Sequence, residues 1–164
     1  MTVDGDASIS SANARLRLFE TDTTDLNTQF QNQAGDFFIK TIPDDASSST
    51  SRFGIDHSTG DISFYEDTGT TAKLFWDASA ESLGIGTTSP SSYNANADNL
   101  VVAGSGNTGI TIAAGTTDDT NIFFADGTSA DAAYRGIIRY SHSGDSLKFY
   151  TAASERARID SSGN

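Results

Sequence analysis

Two histidines invite a chemical reading first. His57 lies in HSTGD and His142 in HSGD, both turn contexts. Imidazole serves as a general base or a zinc ligand, but zinc needs several ligands in company, and each stretch offers one histidine only. A structural turn residue is the reading they support. Asp22 with Asp25, and Asp118 with Asp119, offer carboxylates for a hard cation. Neither pair follows the calcium-loop pattern of alternating acids, a central glycine and a terminal glutamate, so Asx-type turns account for them. LGIG at 83–86 lacks the third glycine and following helix of a dinucleotide loop; its glycines suit a turn or a close backbone approach. GSG at 104–106 is not a nucleophile elbow. A glycosidase needs two acids facing across a groove, and the acids here sit mostly in turns. The expectation is therefore no enzyme, no catalytic residue, no cofactor and no metal site.

The elements that would carry such groups are strands. RLRLF at 15–19, DISFY at 61–65, AKLFW at 72–76, GITI at 109–112, RGIIRY at 135–140 and SLKFY at 146–150 all alternate with period two. STGD, DTGT, GSGN, HSGD and SSGN punctuate them as turns. DASAES at 77–82 has room for one helical turn and no window carries a helical stripe. PDDASSSTS at 43–51 is a polar loop. SPSSYNANADN at 89–99 has the composition of a linker, opened by Pro90.

Composition narrows the function classes. A formal charge of −12, with 10 Lys and Arg against 22 Asp and Glu, opposes nucleic-acid binding, and acidity on this scale favours solubility. No run reaches the roughly 18 apolar residues of a membrane-spanning helix, so membrane insertion is not expected. Cysteine is absent, which excludes disulfides and thiolate metal sites. Ten Phe and five Tyr fall in discrete clusters, favouring a fold of short strands over disorder.

The chain repeats itself. At a constant offset of 85 residues (57 to 142), His57 lies on His142, Ser58 on Ser143, Ile62 on Leu147, Phe64 on Phe149 and Tyr65 on Tyr150. The same offset lays DFFIK at 36–40 on NIFFA at 121–125. After a loop about two residues longer in the first copy, Trp76-Asp77 answers Ile159-Asp160; upstream, LRLFE at 16–20 answers ITIAA at 110–114. The expected organisation is two tandem β-modules: 1–90 with a linker to about 99, then 100–164. The first copy runs on into AESLGIGTTSP where the second breaks off, so a natural polypeptide continuing past Asn164 is expected.

RIDSSGN at 158–164, LGIGTTSP at 83–90, NIFFADGTS at 121–129 and GDISFYEDTG at 60–69 together resemble repeat modules of tailed-bacteriophage fibre and virion structural proteins, of the marine and cyanophage type. The resemblance implies an elongated, trimeric all-β fibre of short antiparallel strands, exposed on the virion as a tail, neck or head appendage. It implies self-association as a homotrimer and contact with other virion proteins, and it carries no catalytic residues.

Phe37, Phe38 and Ile39 are consecutive, as are Ile122, Phe123 and Phe124. Successive strand residues point to opposite faces, so such runs imply that both faces are covered. Neighbouring subunits around a fibre axis, or loops of the same chain, supply the second cover. These six residues are the candidate subunit interface. Arg15 with Arg17, and Arg156 with Arg158, project charge from their strands, a guard against stray edge pairing; a basic patch for anionic glycans is the functional rival. Trp76 and the tyrosines could form a sugar platform, but Trp76 fills the slot of Ile159, which favours burial. The leading expectation is a non-catalytic fibre shaft or spacer. A host-receptor or glycan-binding segment, or a fragment of a polysaccharide-degrading tailspike, are the alternatives.

Overall fold

Tight hairpins organise the chain. The computed structural model describes residues 8–22 and 24–164. In Gln33-Ala34-Gly35-Asp36 both central residues take positive φ, 55° and 93°, as a two-residue type I′ loop requires to match the strand twist. Thr151-Ala152-Ala153-Ser154 repeats that geometry with φ 50° and 56° and no glycine. The longer turns that follow Asp56, Tyr65 and Asp77 are capped by Asp56, Glu66 and Asp77.

Eight strands form the first sheet in sequence order: β1 (Asn13–Leu18), β2 (Asn27–Gln33), β3 (Asp36–Ile42), β4 (Thr50–Asp56), β5 (Ile62–Tyr65), β6 (Ala72–Asp77), β7 (Ser82–Ile85) and β8 (Leu100–Val102). Every pair is antiparallel except β7 with β8. A second sheet holds β9 (Asp119–Phe124), β10 (Gly136–Ser141), β11 (Ser146–Thr151) and β12 (Ser154–Ile159), also a meander. The all-β expectation holds.

The ladders of β9–β12 match those of β3–β6. Phe53↔Phe64 and Ile55↔Ile62 are answered by Ile138↔Phe149 and Tyr140↔Leu147. Ile62↔Trp76 is answered by Leu147↔Ile159, and a register shift falls between Phe64 and Tyr65 in one and between Phe149 and Tyr150 in the other. The amide of His57 donates to the Gly35 carbonyl (3.2 Å) and that of His142 to Asp118 (3.1 Å). That last pair corrects one alignment. In backbone pairing Gly35 corresponds to Asp118, an offset of 83, so Ile39 answers Ile122 and DFFIK does not lie on NIFFA.

Other expectations change as well. The compact units divide after Gly109, not near 99. The 89–99 stretch is a crossover within the first sheet: Pro90 is fully buried at the start of a 3-10 turn (Pro90–Ser92), and the Leu83 amide donates to the Asn99 carbonyl at 2.8 Å. GITI at 109–112 forms no strand, because among the described residues no neighbouring backbone pairs with it, and Ile110 is 69% exposed. DASAES is the β6–β7 hairpin turn, closed by Glu81 at φ 54°.

Each sheet is one layer deep. Among the described residues within each unit, substantial strand contacts run between ladder neighbours, plus one short 3-10 turn packed against each sheet. A domain normally buries a sheet face under a second layer. Among the described residues, besides Pro90, the buried apolar side chains are Ile42, Ala72, Val101 and Ile137, beside buried polar ones that include Asn27, Gln29, Gln31 and Ser82.

Candidate interaction surface

Register decides which side chains share a face, because alternate residues of a strand point the same way and paired residues point together. In the first sheet one face carries Leu16 and Leu18 on β1, Phe30 on β2, and Phe37 and Ile39 on β3. It continues through Phe53 and Ile55, then Ile62 and Phe64, then Leu74 and Trp76. Leu83 and Ile85 on β7 and Leu100 and Val102 on β8 complete it. None of these positions holds a charge. The rings pack laterally: Phe30 stacks on Phe37 at 6.5 Å, and Phe53 meets Phe64 edge-on at 5.2 Å. Nothing among the described residues of 8–109 lies over them as a layer, so Phe64 is 47% exposed, Leu16 49% and Leu100 54%. A shallow groove of about 230 Å³ runs between Ile9, Leu16, Phe30 and Phe37.

The opposite face carries the amide and charged side chains, together with Phe38, Phe75 and Val101. Gln29 donates to Gln31 (2.9 Å), Gln31 donates to Asn13 (2.6 Å) and Gln33 (2.7 Å), and the Arg17 guanidinium donates to Gln29 (2.8 Å). Phe38 lies on this side, under the Lys40 ammonium at 4.6 Å, and a Cβ added at Gly54 would meet the Phe38 ring at 3.1 Å and the Tyr65 hydroxyl at 3.2 Å. Gly54 is thus a close-approach glycine.

The second sheet repeats the division. Ile122, Phe124, Ile138, Phe149, Leu147 and Ile159 share a charge-free face, while Phe123, Ile137, Arg139, Lys148 and Tyr150 share the other. Arg139 donates to Asn121 (2.7 Å), pairs with Asp119 (3.4 Å) and lies 5.2 Å from the Tyr150 ring.

The six interface candidates therefore separate. Phe37, Ile39, Ile122 and Phe124 lie on the charge-free faces, whereas Phe38 and Phe123 lie on the polar ones. Phe37, Phe38 and Ile39 are half-buried; Ile122, Phe123 and Phe124 are all about half exposed. Phe123 has Tyr134 beside it, ring to ring at 6.4 Å. Trp76 stands half-buried between Ile62 and Leu83 in the register slot of Ile159, so it is a member of the apolar face and not an isolated platform. Reasoning by strand propensity missed Phe30, because NTQFQNQ shows a single apolar residue, and missed Phe53 with Ile55, although their period-two spacing was a usable signal.

The acids serve turns. Glu66 accepts the amides of Thr68 (2.8 Å), Thr70 (2.9 Å) and Thr71 (3.0 Å) and the Thr68 hydroxyl (2.7 Å), which holds its carboxyl well below the usual range. Asp56, bonded by Ser58, Asp77, bonded by Ser79 and Ala80, and Asp160, bonded by the Asn164 and Ser162 amides, are lowered for the same reason. Asp25 and Asp44 exchange amide bonds with each other's carboxylates, at 3.2 and 3.0 Å. Among the described residues no group of three His, Asp or Glu converges as a cation cage. Arg15 and Arg17 stand on the edge strand β1, and Arg156 and Arg158 on the edge strand β12. No family model and no curated protein matches this sequence.

What the arrangement can do physically is adhere. Fully burying a Phe stabilises by about 1.5–3 kcal/mol, and Phe64 with the half-buried Phe30, Phe37 and Phe53 each offers part of that on one face.

Proposed function

We propose that the chain is a non-catalytic structural segment of a phage virion fibre: two tandem β-modules forming part of a homotrimeric shaft or spacer on an external appendage. The observation that carries this reading is that each sheet is a single layer. A single-layer sheet needs a second layer, and sister chains are the natural supply in a repetitive appendage. The matching ladders of β3–β6 and β9–β12 favour tandem duplication, which lengthens a fibre while each unit contacts mainly its neighbours. The assignment to a virion rests on the resemblance of LGIGTTSP, GDISFYEDTG, NIFFADGTS and RIDSSGN to phage fibre modules. Light scattering on the purified chain, beside unheated detergent gels, is expected to return a three-chain mass; antibodies to it are expected to decorate an appendage of the parent virion. A monomer stable to dilution, or unlabelled particles, would defeat the reading.

A polar groove of about 210 Å³ lined by Arg15, Arg17, Gln29 and Ser47–Ser49 favours glycan binding as a second reading. A glycan array that stays blank while the assembly is intact removes it.

A further inference from the structure

We infer that the charge-free face of the eight-stranded sheet is buried against further copies of this chain, while its Arg- and Gln-bearing face remains in water. The inference rests on the proposed structural role and adds which of the two faces joins.

Three observations single out a second copy as the occupant. The first is area. Two compact bodies of the sizes of 1–109 and 110–164 together expose about 9,300 Å², whereas this chain exposes 11147 Å². The surplus of roughly 1,900 Å² lies within the range of about 1,000–2,500 Å² that each partner buries in a permanent interface. The second is charge. With a net charge of −12, copies of this chain repel one another over most of their surface. Across Phe30, Phe37, Phe53, Phe64, Leu74 and Ile85 no carboxylate is brought toward its like, so this is where two copies meet at least electrostatic cost. The same charge turns the chain away from anionic lipid surfaces. The third is the state of the other face. Its Gln29 and Gln31 amides already have partners, and Arg15, Arg17, Lys40, Asp36 and Asp56 stand on it; burying it would strip water from charges of both signs.

Adjacent residues of β5 give the test, since Phe64 lies on the charge-free face and Ser63, paired with Gly54 and Phe75, on the other. The chain has no cysteine, so Phe64→Cys and Ser63→Cys each introduce a single thiol. Alkylation by iodoacetamide is followed on the full chain, with sedimentation velocity reporting mass. The expected result is an assembled species in which the thiol at 64 reacts at least ten-fold more slowly than that at 63, the difference vanishing on dilution to single chains. Phe64→Arg is expected to shift the mass toward one chain and Ser63→Arg to leave it multimeric. An assembled protein whose thiol at 63 is the protected one overturns the choice of face and leaves the structural role standing. A single-chain mass for the parent protein overturns both. A single chain that instead floats with neutral lipid vesicles would overturn them too, giving the face to a different occupant.

Discussion

At the residue scale the acids act as turn caps, and their titration has a definite sign. Glu66, Asp56, Asp77 and Asp160 are all held below the ordinary carboxylate values by turn hydrogen bonds. A carboxyl depressed in the folded state stabilises fully above its unfolded value of about 4. That contribution is lost as pH falls through the folded value. Thermal stability is therefore expected to be flat above about pH 5 and to decline below about pH 4. Glu66→Gln should lower the melting temperature at neutral pH and flatten the acid limb, as read by circular dichroism melts across pH. The β11–β12 loop gives an opposite prediction. Ala152 and Ala153 both sit at positive φ, where a Cβ costs about 1–2 kcal/mol per residue. Ala153→Gly should raise stability by about 0.5–1 kcal/mol, measurable in urea titration; an unchanged midpoint would contradict the strain. These features were half legible in the sequence. SSGN and DTGT announced turns, but which oxygen caps which amide depends on how each loop closes.

At the element scale β2 is the informative strand. NTQFQNQ is polar at nearly every position, yet it lies second from an edge and buries Asn27, Gln29 and Gln31 to a few per cent exposure. Its glutamines bridge along the strand and across to Asn13 and Arg17 of β1, and the Asn27 amide donates to Asp44 at 2.8 Å. Gln31→Ala removes the centre of that row, leaving the Gln29 amide without its acceptor. The expected loss is about 1–3 kcal/mol in chemical unfolding, with faster amide exchange in β1. No propensity argument finds this strand, because its stability comes from satisfied polar groups and pairing with β3. β6 and β12 were legible for the converse reason: alternation and a following turn are local signals.

The whole molecule is distinguished by what it leaves bare. Each sheet repeats a charge-free face at matching register positions. Trp76, the single tryptophan, stands half-buried on the larger one. Assembly through that face is expected to dry the indole further, so its emission should lie to the blue in concentrated protein. It should move to the red on dilution or in Phe64→Arg. Emission independent of concentration across the mass transition would mean that Trp76 lies outside the contact.

Period-two alternation and turn residues are properties of a few neighbouring residues, so the sequence by itself determined an all-β chain with hairpins and a recurring pattern. Adjacency and register are not local. Only the tertiary structure decided that a polar segment joins the sheet, that the 89–99 stretch crosses over within it, and that GITI stays unpaired. It alone aligned Leu16 through Val102 on one side. A one-residue slip in any ladder would have sent those side chains to the other face, and nothing within a single strand records which neighbour it will meet.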